Sequence, residues 1–417
     1  MKPIIAHFLT TLNFRMFLRA LNSLTFRLPF LINGKDISLL EQDLKNYLNT
    51  KTSEIISFYN GRSAIYHGLK LLGIEKGDEI LVSAYTCVSV SNAVIQTGSI
   101  PVYVDIDSTY NVDPEQLENK ITQKTKAIII QHTFGKPANL DRILKTAKKH
   151  NLFVMEDCAH SLGAEYNGKK IGTFGDLSIF SFGRDKVISS VNGGFLLINN
   201  ETLFNKIPKI KNSLINISIG QVTKNLIYIK VGFIAYKLYN FCGIGKIIMV
   251  LARKLKLFPN ILTLKEKSCN FKKFFYKYPN CLAYIGRGEL AKLDEYNTHR
   301  IKIAEFYKKE LAGFVELPKE DKNEKNIYFM FMIKVSRARE LMNFCKKKGV
   351  LLGDYWFGQN IAPIGTDLKK ASYKGDCINT EDLVIKLVHL PTHAGIDIKS
   401  AEKVVNLIKK FETGLLN

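Results

Sequence analysis

Residues 154–194 read VMEDCAHSLGAEYNGKKIGTFGDLSIFSFGRDKVISSVNGG, and their reading decides the fold. An apolar run closes on the acids Glu156 and Asp157, as a buried parallel strand closes where its ligand-facing loop begins. A second apolar run, Leu177 to Phe182, leads through Ser181 and a turn at Gly183 to Lys186. A carboxylate, a hydroxyl and an amine therefore lie at or just beyond strand ends.

Working outward, apolar strand text recurs at Ile80-Leu81-Val82, at Val102 to Ile106 and at Ala127 to Gln131. Helical spacing falls between these runs: Ile65, Leu69 and Leu72 share one face, and further helices are expected at 114–117 and 140–150. Strand alternating with helix predicts an α/β fold with a mainly parallel sheet. Leu40, Leu44 and Leu48 predict an earlier helix capped by Asp36 or Ser38. His132 and Asp105 are too isolated from other ligands for a metal site and are expected in turn or core roles.

The trio in the opening stretch matches what pyridoxal 5'-phosphate needs from a protein: a carboxylate for the ring nitrogen, donors for the phosphate, and a lysine for the aldehyde. An ionised Asp157 keeps the ring nitrogen protonated, Ser181 can donate to the phosphate, and Lys186 supplies the amine. Taken singly, Asp157 reads as a helix cap or turn residue and Lys186 as a solvated charge competing with Lys169 and Lys170. Order and spacing together lift the trio above that.

EDCAHSLGA at 156–164, GTFGDLSIFSFGRDK at 172–186 and Gly193-Gly194 together resemble the DegT/StrS family of pyridoxal-phosphate-dependent nucleotide-sugar aminotransferases. The resemblance implies a fold-type-I transferase, a large domain with a smaller C-terminal α/β domain, acting as a homodimer. It also implies transfer of an amino group from an amino acid, glutamate first, to a nucleotide-linked keto sugar. Carried over residue by residue, Lys186 is the catalytic Schiff-base lysine, Asp157 pairs with the ring nitrogen, Ser181 binds phosphate, and His160 stands at the family's Gln position beside the ring hydroxyl. Gly61-Arg62-Ser63 occupies the phosphate-binding turn, with Arg62 in place of a Thr. Cys87 replaces the aromatic that stacks on the ring, so Tyr85 or His160 is expected to supply the plane. The family's dehydratase branch has a His in place of the lysine, and Lys186 argues against it.

The boundaries expected are 1–50 for an N-terminal basic and apolar arm with a helix, 51–201 for the cofactor-binding large domain, 202–268 for an insert, and 269–417 for a linking helix and the small domain. In the last, Leu290, Leu293 and Tyr296 predict one long helix, residues 327–335 (IYFMFMIKV) a strand, and Ala338 to Lys348 a helix. Trp356, the one tryptophan, is a candidate platform for a sugar or base as well as a core residue.

A net charge of +22 over 417 residues points to a polyanionic partner: phosphorylated substrates, an anionic membrane surface or nucleic acid. No nucleic-acid recognition motif accompanies it. Seven cysteines without a CxxC pair predict neither disulfides nor zinc, which fits the cytoplasm, and no cleavable signal is read at the start. From Thr202 to Lys265 there is no acid, and lysines punctuate apolar text such as LIYIKVGFIAYKLYNF. With the arm from Met1 to Gly34, this stretch is expected either to rest on an anionic inner membrane face or to cover a dimer interface. On the first, a non-catalytic cofactor-binding protein acting in glycan assembly at the membrane is the alternative function.

Overall fold

The computed structural model describes residues 4–6, 11–258, 262–270 and 275–414. At its centre lies a sheet of β1 (Glu54–Phe58), β2 (Glu79–Ser83), β3 (Ile100–Val104), β4 (Thr125–Gln131), β5 (Phe153–Asp157), β6 (Leu177–Ser181) and β7 (Gly194–Ile198). The spatial order is β1-β7-β6-β5-β4-β2-β3. β7 is antiparallel to both neighbours and the remaining pairings are parallel.

The strands are apolar on both faces because both faces are covered. Ile55, Leu81, Ile128, Val154 and Phe180 face one layer, and Ile56, Val82, Ile129, Met155 and Ile179 the other. The first layer holds α1 (Phe14–Thr25) and α2 (Asp36–Tyr47), and the second holds α3 (Gly61–Leu71) and α4 (Val88–Gln96). α5 (Leu140–Lys149) follows β4 and returns the chain to β5, a crossover of the kind parallel strands require.

Neither Asp36 nor Ser38 caps α2, contrary to expectation. Lys35 holds the N-cap position without a side-chain bond. The Asp36 carboxylate is instead taken by Arg27 and Arg287, so it is not available to the helix start.

The stretch expected as an insert is largely helical. α6 (Ile219–Lys237) packs on α1, where the Phe17 and Phe233 rings sit 5.2 Å apart, and α7 (Ile244–Lys254) packs on α6. Arm and insert therefore form one layer. Among the described residues no helix is long and apolar enough to cross a membrane.

The long helix expected around Leu290 to Tyr296 is two helices, α8 (Asn280–Leu290) and α9 (Leu293–Leu311), separated at Ala291-Lys292. α9 leads to a second core of Ile303, Tyr307, Phe331, Leu341, Val404 and Ile408, built with α10 (Ala338–Lys347) and α11 (Ile398–Glu412). Its strands are β8 (Phe331–Lys334) and β9 (Leu387–Leu390), paired antiparallel. β8 is shorter than the apolar text at 327–335 suggests because Tyr328, at φ 46°, turns out of the extended region. A third cluster of Tyr85, Phe134, Met330 and Trp356 joins the two cores.

Candidate active site

Strand alternation divides the acid pair at the end of β5. Glu156 points with Val154 into the first layer, where it accepts hydrogen bonds from the backbone N–H groups of Gly172 (2.9 Å), Phe174 (2.7 Å) and Gly175 (2.8 Å). Its Oε2 also lies 3.2 Å from His132 Nε2, and His132 Nδ1 accepts from Ala138 N at 3.1 Å. With Cys158 these residues form the one grouping of metal-ligand type among the described residues, fully buried. Their bonds to backbone amides make it internal bracing of the 172–175 turn, and His132 keeps the turn and core role expected of it.

Asp157 faces the other way, into a cavity of about 280 Å³ at the strand ends. It is 5% exposed, and its Oδ1 accepts from Ala159 N at 3.0 Å. Burial pushes its carboxyl above the ordinary range, while the Ala159 N–H, Lys186 and His132 pull the other way. A buried carboxylate of this kind is matched by a cationic partner.

Gly61, Arg62, Cys87, Asp157, His160, Ser181 and Lys186 all line this one cavity. Lys186 Nζ is 3.0 Å from His160 Nε2. The imidazole is stacked on Phe134 at 5.4 Å and on Phe329 at 5.1 Å, so its plane is already engaged by protein rings. Cys87 precedes α4, with Sγ 3.5 Å from Ser89 Oγ and 3.9 Å from Tyr355 Oη.

The start of α3 is pressed onto the end of β6. Asn60 caps the helix by accepting from Ser63 N at 3.0 Å, and a Cβ on Gly61 would lie 3.2 Å from Ser181 Cβ and Oγ. Beside it, a Cβ on Gly194 would stand 2.2 Å from Asn60 O and 2.5 Å from Gly61 N. Only glycine permits that approach. The result is a helix N-terminus, with its unpaired N–H groups and positive dipole end, held against a serine hydroxyl at the cavity wall.

Two expected site residues lie outside the wall. Tyr85 is wholly buried, edge-on to Trp356 and Phe134, with its hydroxyl on Trp356 O at 3.2 Å. Ser63 is buried, and its hydroxyl donates to Asn60 Oδ1 at 2.9 Å. Arg62 does line the cavity, and its guanidinium forms an ion pair with Glu266 from the insert.

Other wall residues were not foreseen. Asp185 stands beside Lys186, and burial pushes its carboxyl up to about 6 against the pull of Arg184 and Lys186. Its place in the GRDK turn was the available signal. Asp354 and Tyr355 reach the same cavity, as does Trp356, the candidate platform, which is 3% exposed and packed edge-on against Tyr85, Phe134 and His160. Val191, also in the wall, holds φ 76°, a strained value for a β-branched residue.

Amine, buried carboxylate, hydroxyl and helix start converge in one cavity, and this donor set fits pyridoxal phosphate. Three comparisons with known proteins bear on it. Residues 20–244 and 252–409 match the model of the DegT/DnrJ/EryC1/StrS aminotransferase family. GDP-perosamine synthase of Escherichia coli O157:H7 is 33% identical over 356 residues, 84% of each chain. Among solved structures, S. venezuelae DesV superposes with a TM-score of 0.77 at 20% identity over 99% of both chains. Spr1654 of Streptococcus pneumoniae, in its PLP form, gives 0.74 at 18% identity, covering 100% of this chain and 99% of that one. At such identities the likeness is one of fold.

Proposed function

The chain belongs to the DegT/DnrJ/EryC1/StrS aminotransferase family, a pyridoxal-phosphate-dependent aminotransferase, and we propose that it moves an amino group from glutamate to a nucleotide-linked keto sugar as a homodimer. The observation that carries this reading is the meeting of Lys186, Asp157 and the α3 start in one cavity.

In this reading Asp157 holds the ring nitrogen, and its raised carboxyl is drawn back toward ionisation by the pyridinium. Ser181 Oγ and the Gly61 end of α3 hold the phosphate, helped by the dipole. Bound there, the cofactor supplies an electron sink for a carbanion on the amino-acid or sugar carbon. Lys186 Nζ takes the proton from the donor's α-carbon and, in the second half-reaction, the proton on the carbon that carried the ketone is set by the same amine. His160 Nε2, at 3.0 Å, orients that amine. Trp356 and Tyr355 bound the space left for the sugar.

The relative that makes GDP-perosamine makes a GDP-linked keto sugar the first acceptor to test. Holoenzyme is incubated with glutamate and a panel of nucleotide keto sugars, and 2-oxoglutarate is followed with the amino sugar. Stoichiometric formation of both supports the reading. No turnover of any nucleotide sugar, with turnover of amino acids alone, removes the sugar acceptor.

A further inference from the structure

Within residues 202–268, the outer face of α7 has no protein against it among the described residues. α7 approaches α6 closely on one side: a Cβ on Gly245 would lie 2.2 Å from Ala235 O, and Ala252 is 2% exposed. Another side carries Ile244, Ile247, Leu251 and the C-cap Leu255 at intervals of three and four residues, a single exposed stripe. Ile247 is 58%, Leu251 52% and Leu255 68% exposed. Val250 and Phe241 extend the apolar surface. Lys246, Lys254 and Lys256 are exposed beside it, and Lys246 Nζ lies 5.4 Å from the Tyr239 ring centroid.

We propose that α7 lies in the plane of an anionic phospholipid surface, its Ile247, Leu251 and Leu255 stripe entering the acyl boundary and Lys246, Lys254 and Lys256 meeting headgroup phosphates. An apolar stripe flanked by lysines suits that position, because the long side chains carry their charge to the phosphates while their stems cover apolar surface. Charge selects the bilayer over a second copy of the chain. Residues 202–265 hold eleven Lys and Arg and no Asp or Glu, so pairing this face with itself sets lysine against lysine with no acid in the segment to answer it. An anionic bilayer supplies the countercharge and asks for no matched geometry. Docking in this way is independent of the acceptor sugar.

The test is sedimentation of holoenzyme with vesicles of phosphatidylcholine alone or mixed with phosphatidylglycerol, at low and high salt. The solution mass is measured in parallel by light scattering. Protein should pellet with the anionic vesicles at low salt only, since the interaction is screened. Each lysine removed is expected to lower partitioning about fivefold, so Lys246→Gln with Lys254→Gln should lower it roughly 25-fold. Ile247→Gln with Leu251→Gln should also release the protein while leaving its mass and its solution turnover unchanged. Protein that stays in the supernatant with anionic vesicles at low salt overturns the proposal, as does equal binding to phosphatidylcholine. If the Ile247 and Leu251 substitutions halve the solution mass, the face is an interface between copies and the proposal fails.

Discussion

Replacing Glu289 by Gln should shift the stability balance between variant and parent toward the variant as the pH rises from 5 to 8. Glu289 is 2% exposed; its Oε2 accepts from Asn13 Nδ2 at 2.9 Å and from Tyr296 Oη at 3.3 Å, and its Oε1 is buried with no hydrogen-bond partner among the described residues. Burial pushes the carboxyl up to about 7, while Asn13, Tyr296, Arg15 and Arg19 pull it down. A carboxyl whose folded pKa lies above its unfolded value weakens the fold wherever the unfolded chain is ionised. The penalty is therefore absent below the unfolded pKa and complete above about 7. At about 1.4 kcal/mol per tenfold, the full penalty is roughly 3 kcal/mol. Some two thirds of it develops between pH 5 and pH 8. Gln keeps the acceptor for Asn13 and Tyr296 but sets an N–H where Oε1 stood, a cost of about 1–3 kcal/mol that does not depend on pH. Thermal melts of both proteins at the two pH values separate these contributions. The difference between Glu289→Gln and the parent should move by a few degrees in the variant's favour on going from pH 5 to pH 8. An unchanged difference, or one that moves against the variant, refutes the argument from burial.

Two site predictions follow from the cavity. Asp157→Asn should keep the cofactor bound and lower kcat by about 10²–10³, the usual cost of removing a fixed charge aimed at the reacting system, which steady-state turnover with glutamate checks. Gly194→Ala should push the Asn60-Gly61 turn off Ser181, costing about 1–3 kcal/mol in stability and weakening cofactor retention, read from the melt and from absorbance after gel filtration.

What the sequence disclosed was local in origin. Alternation along β5 was enough to set Asp157 at a strand end that faces the cavity, and a tight turn after β6 to bring Lys186 to the same cavity. Most of what it did not disclose has longer reach. Tyr85 sits in sequence where a ring plane is wanted, but its bulk fills the junction with Phe134 and Trp356, whose closeness no local pattern reveals. Ser63 stands one turn into α3, where the Asn60 cap already claims a hydroxyl, so its side chain turns away from the cavity. Arg62 lines the cavity as expected, but its pairing with Glu266, distant in the chain, has no local signal. The break between α8 and α9 carries no Gly or Pro to announce it: Ala291-Lys292 reads as helix, and tertiary packing decides otherwise.

The central claim is that Lys186 is the amine that carries the cofactor. Holoenzyme reduced with borohydride and digested should yield one peptide bearing the reduced cofactor, with the label on Lys186, and Lys186→Ala should yield none. Labelling at Lys169 or Lys170, or a parent enzyme that binds the cofactor without any covalent label, would contradict the account.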